Sequence, residues 1–176
     1  MEVTEISNIV SSYGKDIYNF CRQLTRNKEE ADELYQDTFL RAIELCYKIN
    51  KENNPKSFLL SIAVRLWKNR KRKFSWRNRI AAVESYREES GYCNYPAELA
   101  ESPEEELLEK EKTERIVQAV KRLREEYQSV VYLYYSAEMP LKEISVILHL
   151  PEGTVKSRLH KARSVVGKIL EEYLYG

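Results

Sequence analysis

The sequence is short of glycine, proline and cysteine, and each shortage removes a class of structure. Five Gly and five Pro among 176 residues leave few sites for tight turns. The period-two alternation of a half-buried strand is hard to find, whereas helical periods dominate, so an all-α protein is expected. The three cysteines, Cys21, Cys46 and Cys93, are odd in number and widely spaced. They fit neither a disulfide framework nor a metal site, and two isolated histidines argue against a zinc cluster. Free thiols in a reducing compartment are expected. No apolar run approaches the roughly 20 residues that span a bilayer. The opening MEVTEISNIV has neither the basic start nor the apolar core of a signal peptide. A soluble cytoplasmic protein without membrane insertion follows as the expectation.

Catalytic signatures are missing as well. There is no Gly-rich phosphate loop, no HExxH and no nucleophile elbow. An enzyme is not expected, nor a metal, a cofactor or a small-molecule substrate.

What is present is charge, unevenly placed. The formal net charge is only +1, yet residues 1–80 carry 16 Lys and Arg against 10 Asp and Glu. Residues 81–114 carry 3 against 11, and residues 115–176 carry 10 against 7. Two basic blocks thus flank an acidic connector, and the near-neutral total conceals basic interaction surfaces.

Helical periodicity predicts a first helix over about residues 6–25, with Ile9, Val10, Tyr13, Ile17, Phe20 and Leu24 on its buried side. Asn27 is placed to cap a second helix, with Glu29 and Glu30 at its positive end, running through Leu34, Phe39 and Ile43 to about Lys48. Pro55 marks the start of a third helix that contains Phe58, Leu59, Ile62, Ala63 and Leu66 and then becomes heavily charged. Residues 81–103 hold Gly91, Pro96 and dense negative charge with little apolar periodicity, the composition of a flexible acidic linker. Ser102-Pro103-Glu104-Glu105 matches a capping box with proline at the first helical position. Helices are expected from there to about Leu123, from Glu125 to about Ala137, and through LKEISVILHL after Pro140. The expected organisation is two small helical domains, residues 1–80 and 104–176, joined by that linker.

Three stretches carry the interaction chemistry. From Asn53 to Val83 there is no Asp or Glu, and RLWKNRKRKFSWRNR (65–79) sets eight Lys and Arg among Trp67, Phe74 and Trp76. Cations neutralise phosphates, and aromatic rings stack on unpaired bases, so the block suits melted or single-stranded DNA. In the stretch LHLPEGTVKSRLHKAR (148–163), helical spacing puts Val155, Leu159, Ala162 and Val166 on one stripe. At about 100° per residue, Gly153, Ser157, His160 and Ser164 fall opposite, flanked by Thr154, Lys156 and Lys161. A short apolar helix, a turn containing Gly and this small, cationic outer face read as a helix-turn-helix. The third stretch, KEEADELYQDTFLRAIE (28–44), bears Glu29, Glu30, Asp32, Glu33 and Asp37. It would repel DNA, so either solvent or a protein partner faces it.

Together these residues resemble a known family. EADELYQDTFLRAIE resembles the polymerase-binding helix of bacterial sigma factors, FLLSIAVRLWKNRKRK the segment that melts and reads the −10 promoter element, and EISVILHLPEGTVKSRLHKAR the −35-reading helix-turn-helix. A chain with only these two domains, sigma region 2 and region 4, resembles the extracytoplasmic-function (ECF, group IV) members of the sigma-70 family. The resemblance covers roughly residues 6–80 and 104–172 in the right order. It implies that Asp32, Gln36, Asp37 and Arg41 contact core RNA polymerase. It implies that Arg65, Lys68, Asn69, Lys71, Arg72 and Lys73, with Trp67 among them, lie on the −10-reading segment. Thr154, Lys156, Ser157, His160 and Lys161 fall on the −35-recognition helix. Arg65 and Asn69 stand where family members often carry Asn and Asp, so the resemblance transfers the role and not a −10 sequence preference. It also implies an anti-sigma factor as partner, beside core RNA polymerase and promoter DNA.

The expectation is an alternative sigma factor that binds core RNA polymerase and directs promoter-specific transcription initiation. The rival is an ordinary DNA-binding regulator, dimeric on a palindrome, with a nucleic-acid enzyme third. The acidic helix and the basic-aromatic block separate these readings, because a simple repressor needs neither.

Overall fold

A computed structural model of the chain describes residues 3–25, 27–45, 54–80 and 103–175. Among them every regular element is helical, and the chain divides into two compact units, Met1–Cys93 and Asn94–Gly176. The acidic stretch read as a linker, the expected capping residue Ser102, and Cys46 and Cys93 lie outside the described residues.

The first unit packs three helices, α1 (Val3–Leu24), α2 (Lys28–Glu44) and α3 (Pro55–Ile80), each against the other two. Two of the starts are set by side chains the sequence supplies. The Glu30 amide donates to Asn27 Oδ1 at 2.8 Å, and the Lys56 amide donates to Asn54 Oδ1 at 3.0 Å, with Pro55 beginning α3. These bonds satisfy amides that a helix start otherwise leaves orphaned. The core comprises Ile17, Phe20, Cys21 and Leu24 of α1, Ala31, Leu34, Phe39 and Ala42 of α2, and Leu59, Leu60, Ile62, Ala63, Val64 and Trp67 of α3.

Two expectations about this unit are corrected. Val10 is 37% exposed, and Ser7 to Tyr13 are exposed or half-buried, so the packed part of α1 begins at Gly14. There a Cβ would lie 3.0 Å from the Tyr35 hydroxyl, which is why the smallest residue stands at the closest approach. Ile43 points outward. Trp67, expected among the DNA-facing residues, is only 4% exposed. It continues the stripe of Leu60 and Ala63, and a ring consumed by the core is not available to stack on a base.

The second unit contains α4 (Pro103–Lys121), α5 (Glu125–Val131), a π-helical turn (Tyr132–Ser136), α6 (Leu141–Leu148) and α7 (Glu152–Tyr175). The end of α4 is closed by a buried side chain from α5. The Gln128 amide donates to the carbonyls of Val120 at 3.1 Å and Lys121 at 2.8 Å. The helix expected to run to Ala137 is α-helical only to Val131. It widens where the Ala137 amide reaches back to the Tyr132 carbonyl at 3.0 Å, five residues earlier.

The turn between α6 and α7 is not made by glycine. His149 takes the left-handed conformation at φ 53°, while Gly153 lies inside α7. The His149 amide donates to the Val146 carbonyl at 3.3 Å and the Leu150 amide to the Ser145 carbonyl at 3.0 Å, the paired bonds of a Schellman ending. The Pro151 carbonyl then accepts the amides of Thr154 and Val155 and starts α7.

Trp67→Ala should cost the first unit about 3–5 kcal/mol. Trp76→Ala, at an exposed position, should change stability by less than about 0.5 kcal/mol. Urea denaturation of both variants checks the contrast, and equal losses would contradict the assigned core.

Candidate nucleic-acid and polymerase interfaces

Helix α2 spends one side on the core and shows the other to solvent. Gln36, Asp37 and Arg41 are exposed on that outer side, and Asp32 is half-buried. Asp32 accepts a 2.8 Å hydrogen bond from the Tyr18 hydroxyl, which ties α2 to α1. That bond to a carboxylate, with burial second, raises the Tyr18 pKa above its ordinary value. Arg41 is held by Glu44 three residues on. Leu40, which the sequence reading did not single out, is 59% exposed, and Ile43 is exposed beside it. The outer side of α2 therefore mixes carboxylates, an amide and aliphatic groups. Such a surface suits a protein partner and repels a phosphate backbone.

Helix α3 sorts its cations by face. Arg70 turns to α2, bonded to Asp37 and 3.5 Å from Glu33. Arg65, Arg72 and Lys73 are exposed, and Lys68, Asn69 and Lys71 are half-buried. The Lys71 ammonium lies 4.4 Å from the centroid of the Trp67 ring, and Arg72 donates to Asn69 Oδ1 at 2.8 Å. Trp67 thus positions a cation while staying in the core. Past it the helix runs out exposed, with Phe74 48% and Trp76 65% accessible among Lys73, Arg77 and Arg79. These two rings, and not Trp67, are available for stacking.

Helix α7 presents the arrangement that its spacing predicts over its first turns, with Val166 farther along only half-buried. Val155, Leu159 and Ala162 are buried, and Lys156, Ser157, His160 and Lys161 are exposed. Thr154 is half-buried, and its carbonyl accepts the Ser157 hydroxyl at 3.0 Å. Arg158 is drawn off the outer face by Glu126 of α5 at 3.3 Å. A Cβ at Gly153 would meet nothing within 4 Å, so nothing in the unit demands glycine there.

Other chemistry is weakly provided. Burial pushes the Cys21 thiol up to about 12, so it is not a nucleophile near neutral pH. Among the described residues no cluster of metal-ligating side chains occurs, and no helix is long and apolar enough to cross a membrane.

Comparison with known proteins bears on these faces. The family model of sigma-70 region 2 matches residues 9–77, and that of sigma-70 region 4 matches residues 113–165. The ECF RNA polymerase sigma factor SigW of Bacillus subtilis is 30% identical over 172 residues, covering 94% of this chain and 89% of SigW. The RNA polymerase sigma factor YlaC of the same organism is 27% identical over 158 residues, 90% of this chain and 87% of YlaC. In fold, the chain is similar to the sigma factor RpoE of Bartonella quintana, solved in complex with the anti-sigma factor NepR. The TM-score is 0.77 at 17% identity, over 96% of this chain and 98% of RpoE. The chain belongs to the ECF sigma factors of the sigma-70 family, non-catalytic proteins that direct transcription initiation by RNA polymerase.

Proposed function

We propose that residues 1–80 bind core RNA polymerase and read and melt the −10 element, and that residues 104–176 read the −35 element, with residues 81–103 as tether. The observation that supports this reading best is the division of labour inside the first unit. Helix α2 shows carboxylates beside exposed Leu40 and Ile43, while α3 leaves the core as an acid-free helix bearing exposed Phe74 and Trp76. On this reading Asp37, Gln36 and Arg41 meet the polymerase directly, whereas Asp32 acts through its bond to Tyr18 by holding α2 in place. Arg65, Lys68, Lys71, Arg72 and Lys73 meet phosphates, and Asn69 meets bases or sugar. Phe74 and Trp76 take the stacking role.

Magnitudes limit what the chain does alone. Stacking on a ring is worth about 1–3 kcal/mol per base, and opening a duplex step costs about 1.4 kcal/mol. Two rings offset on the order of two steps, so a sustained bubble needs the polymerase as well.

In the second unit, Ser157 and His160 face the groove and read base edges, while Lys156 and Lys161 on the flanks meet phosphates, with Thr154 at the helix start. The working compartment of such a factor is the cytoplasm, where polymerase and promoter are. An anti-sigma factor completes the partner set. RpoE of Bartonella quintana is solved with NepR, and CnrH, similar in fold with a TM-score of 0.69, is solved with the cytosolic domain of CnrY.

Three measurements test these assignments. Gln36→Ala with Asp37→Lys should weaken core polymerase capture at least tenfold at unchanged helicity; wild-type capture would refute the α2 contact. Trp76→Ala should keep its thermal transition yet lose permanganate reactivity of promoter thymines in the holoenzyme. Full reactivity would remove Trp76 from strand opening. Replacing Ser157 or His160 by Ala should alter which −35 bases are tolerated, at about 1–3 kcal/mol per lost base contact. Lys161→Ala should weaken all cognate promoters alike, and a promoter-mutant panel separates the two patterns.

A further inference from the structure

The second unit's arginines are mostly satisfied by carboxylates. Arg115, Arg124 and Arg158 each have a Glu oxygen within 4.0 Å. Arg163 on α7 is different. Its Nε donates to the Tyr135 hydroxyl at 2.6 Å, and its guanidinium lies 5.6 Å from the Tyr135 ring and 5.7 Å from the Tyr134 ring. The rings brace each other edge to face, 5.0 Å apart at 83°. Among the described residues no carboxylate oxygen lies within 4.0 Å of the Arg163 guanidinium, in contrast to the arginine pairs above, and both Arg163 and Tyr135 are exposed.

The position of this arginine matters. Seven residues separate it from Lys156, and seven residues at about 100° each return to nearly the same side of the helix. Arg163 therefore extends the Lys156 flank by about 10 Å along α7. On the opposite flank Arg158 is neutralised by Glu126. A surface arginine normally loses much rotamer freedom when it grips an anion. Here the π-helical turn has already restrained the side chain without cancelling its charge. The bond to Tyr135 uses Nε, and even with a weaker hydrogen bond to Tyr134 the terminal nitrogens keep donors for an anion.

We propose that Arg163, held in position by Tyr135, grips a DNA-backbone phosphate beside the −35 site, with Tyr135 as a positioning residue that does not itself touch DNA. The inference rests on α7 being the recognition helix. It adds to that helix a contact made through the turn preceding α6, so the π-helical segment becomes part of the DNA-binding apparatus.

The test uses holoenzyme, formed from the full chain and core polymerase. The probe is a promoter duplex whose −35 element the wild-type holoenzyme has selected from a random pool. Losing one phosphate contact lowers the slope of log affinity against log salt by about 0.9. The binding deficit of Arg163→Ala should therefore shrink about three- to fourfold between 50 and 200 mM salt. It should be the same for every base substitution in the −35 element. Arg163→Lys keeps a cation and should retain the wild-type slope. Tyr135→Phe keeps the ring and loses the acceptor, so it should bind a few-fold more weakly with the slope retained.

A wild-type slope for a folded Arg163→Ala variant overturns the proposal. If that variant unfolds the unit, Tyr135→Phe decides: weakened binding at unchanged slope supports the contact, and wild-type affinity overturns it. Ser157→Ala and His160→Ala run in parallel separate the two levels. Changed base preferences there with an unaltered Arg163→Ala slope reject only the arginine contact. Unchanged preferences in both reject the recognition-helix reading and this proposal with it.

Discussion

Burial of one stripe on a helix dictates what its other side can offer, and this constraint organises both units. In α7, Val155, Leu159 and Ala162 are consumed by packing, so Lys156, Ser157, His160 and Lys161 are left facing outward. In α2, Ala31, Leu34, Thr38 and Ala42 face inward, and the carboxylates with Leu40 and Ile43 remain outside. Removing any of the large inward groups costs several kcal/mol, whereas an outward substitution costs about 0.5 kcal/mol or less. Outward chemistry can therefore specialise for partners while the core fixes where it points.

Electrostatics refine that division. Arg70 lies within the cationic run of α3 but bonds Asp37 and approaches Glu33 of α2. An exposed pair of this kind contributes only about 0.2–1 kcal/mol, too little to determine the fold. Its consequence is local: it draws one cation of α3 into a pair and partly neutralises the acidic helix. Glu126 does the same to Arg158, taking it off the outer face of α7. The cations left exposed in both units are a selected subset of those in the sequence.

Much of this was legible from residues alone. Asn27, Pro55 and Pro140 mark helix starts by chemistry that acts within three residues, and local signals of that kind survive folding. The α7 stripe was legible because four apolar positions repeat with one period. Elsewhere periodicity gave the side of a helix but not where its neighbours end. Trp67 and Phe74 are seven residues apart on one side of α3, yet the first is core and the second is 48% exposed. Val10 failed as a core residue for the same reason. The spacing from Leu60 and Ala63 did carry the signal for Trp67, but the surrounding charge masked it. The Gln128 clamp on α4 and the left-handed His149 depend on tertiary geometry, and Gly153 drew attention to the wrong position in the turn. The pairing of Tyr135 with Arg163 joins residues far apart in sequence and was likewise invisible.

The central claim is that two separate faces, one for polymerase and one for promoter DNA, act in a single initiation event. Run-off transcription with purified core polymerase, the full chain and a library of promoter fragments tests it most directly. Discrete transcripts should appear only when core and chain are both present, from templates sharing a −35 and a −10 element at fixed separation. Sequence-specific binding of the chain to duplex DNA without core, together with no chain-dependent transcript, would contradict it and favour a conventional DNA-binding regulator.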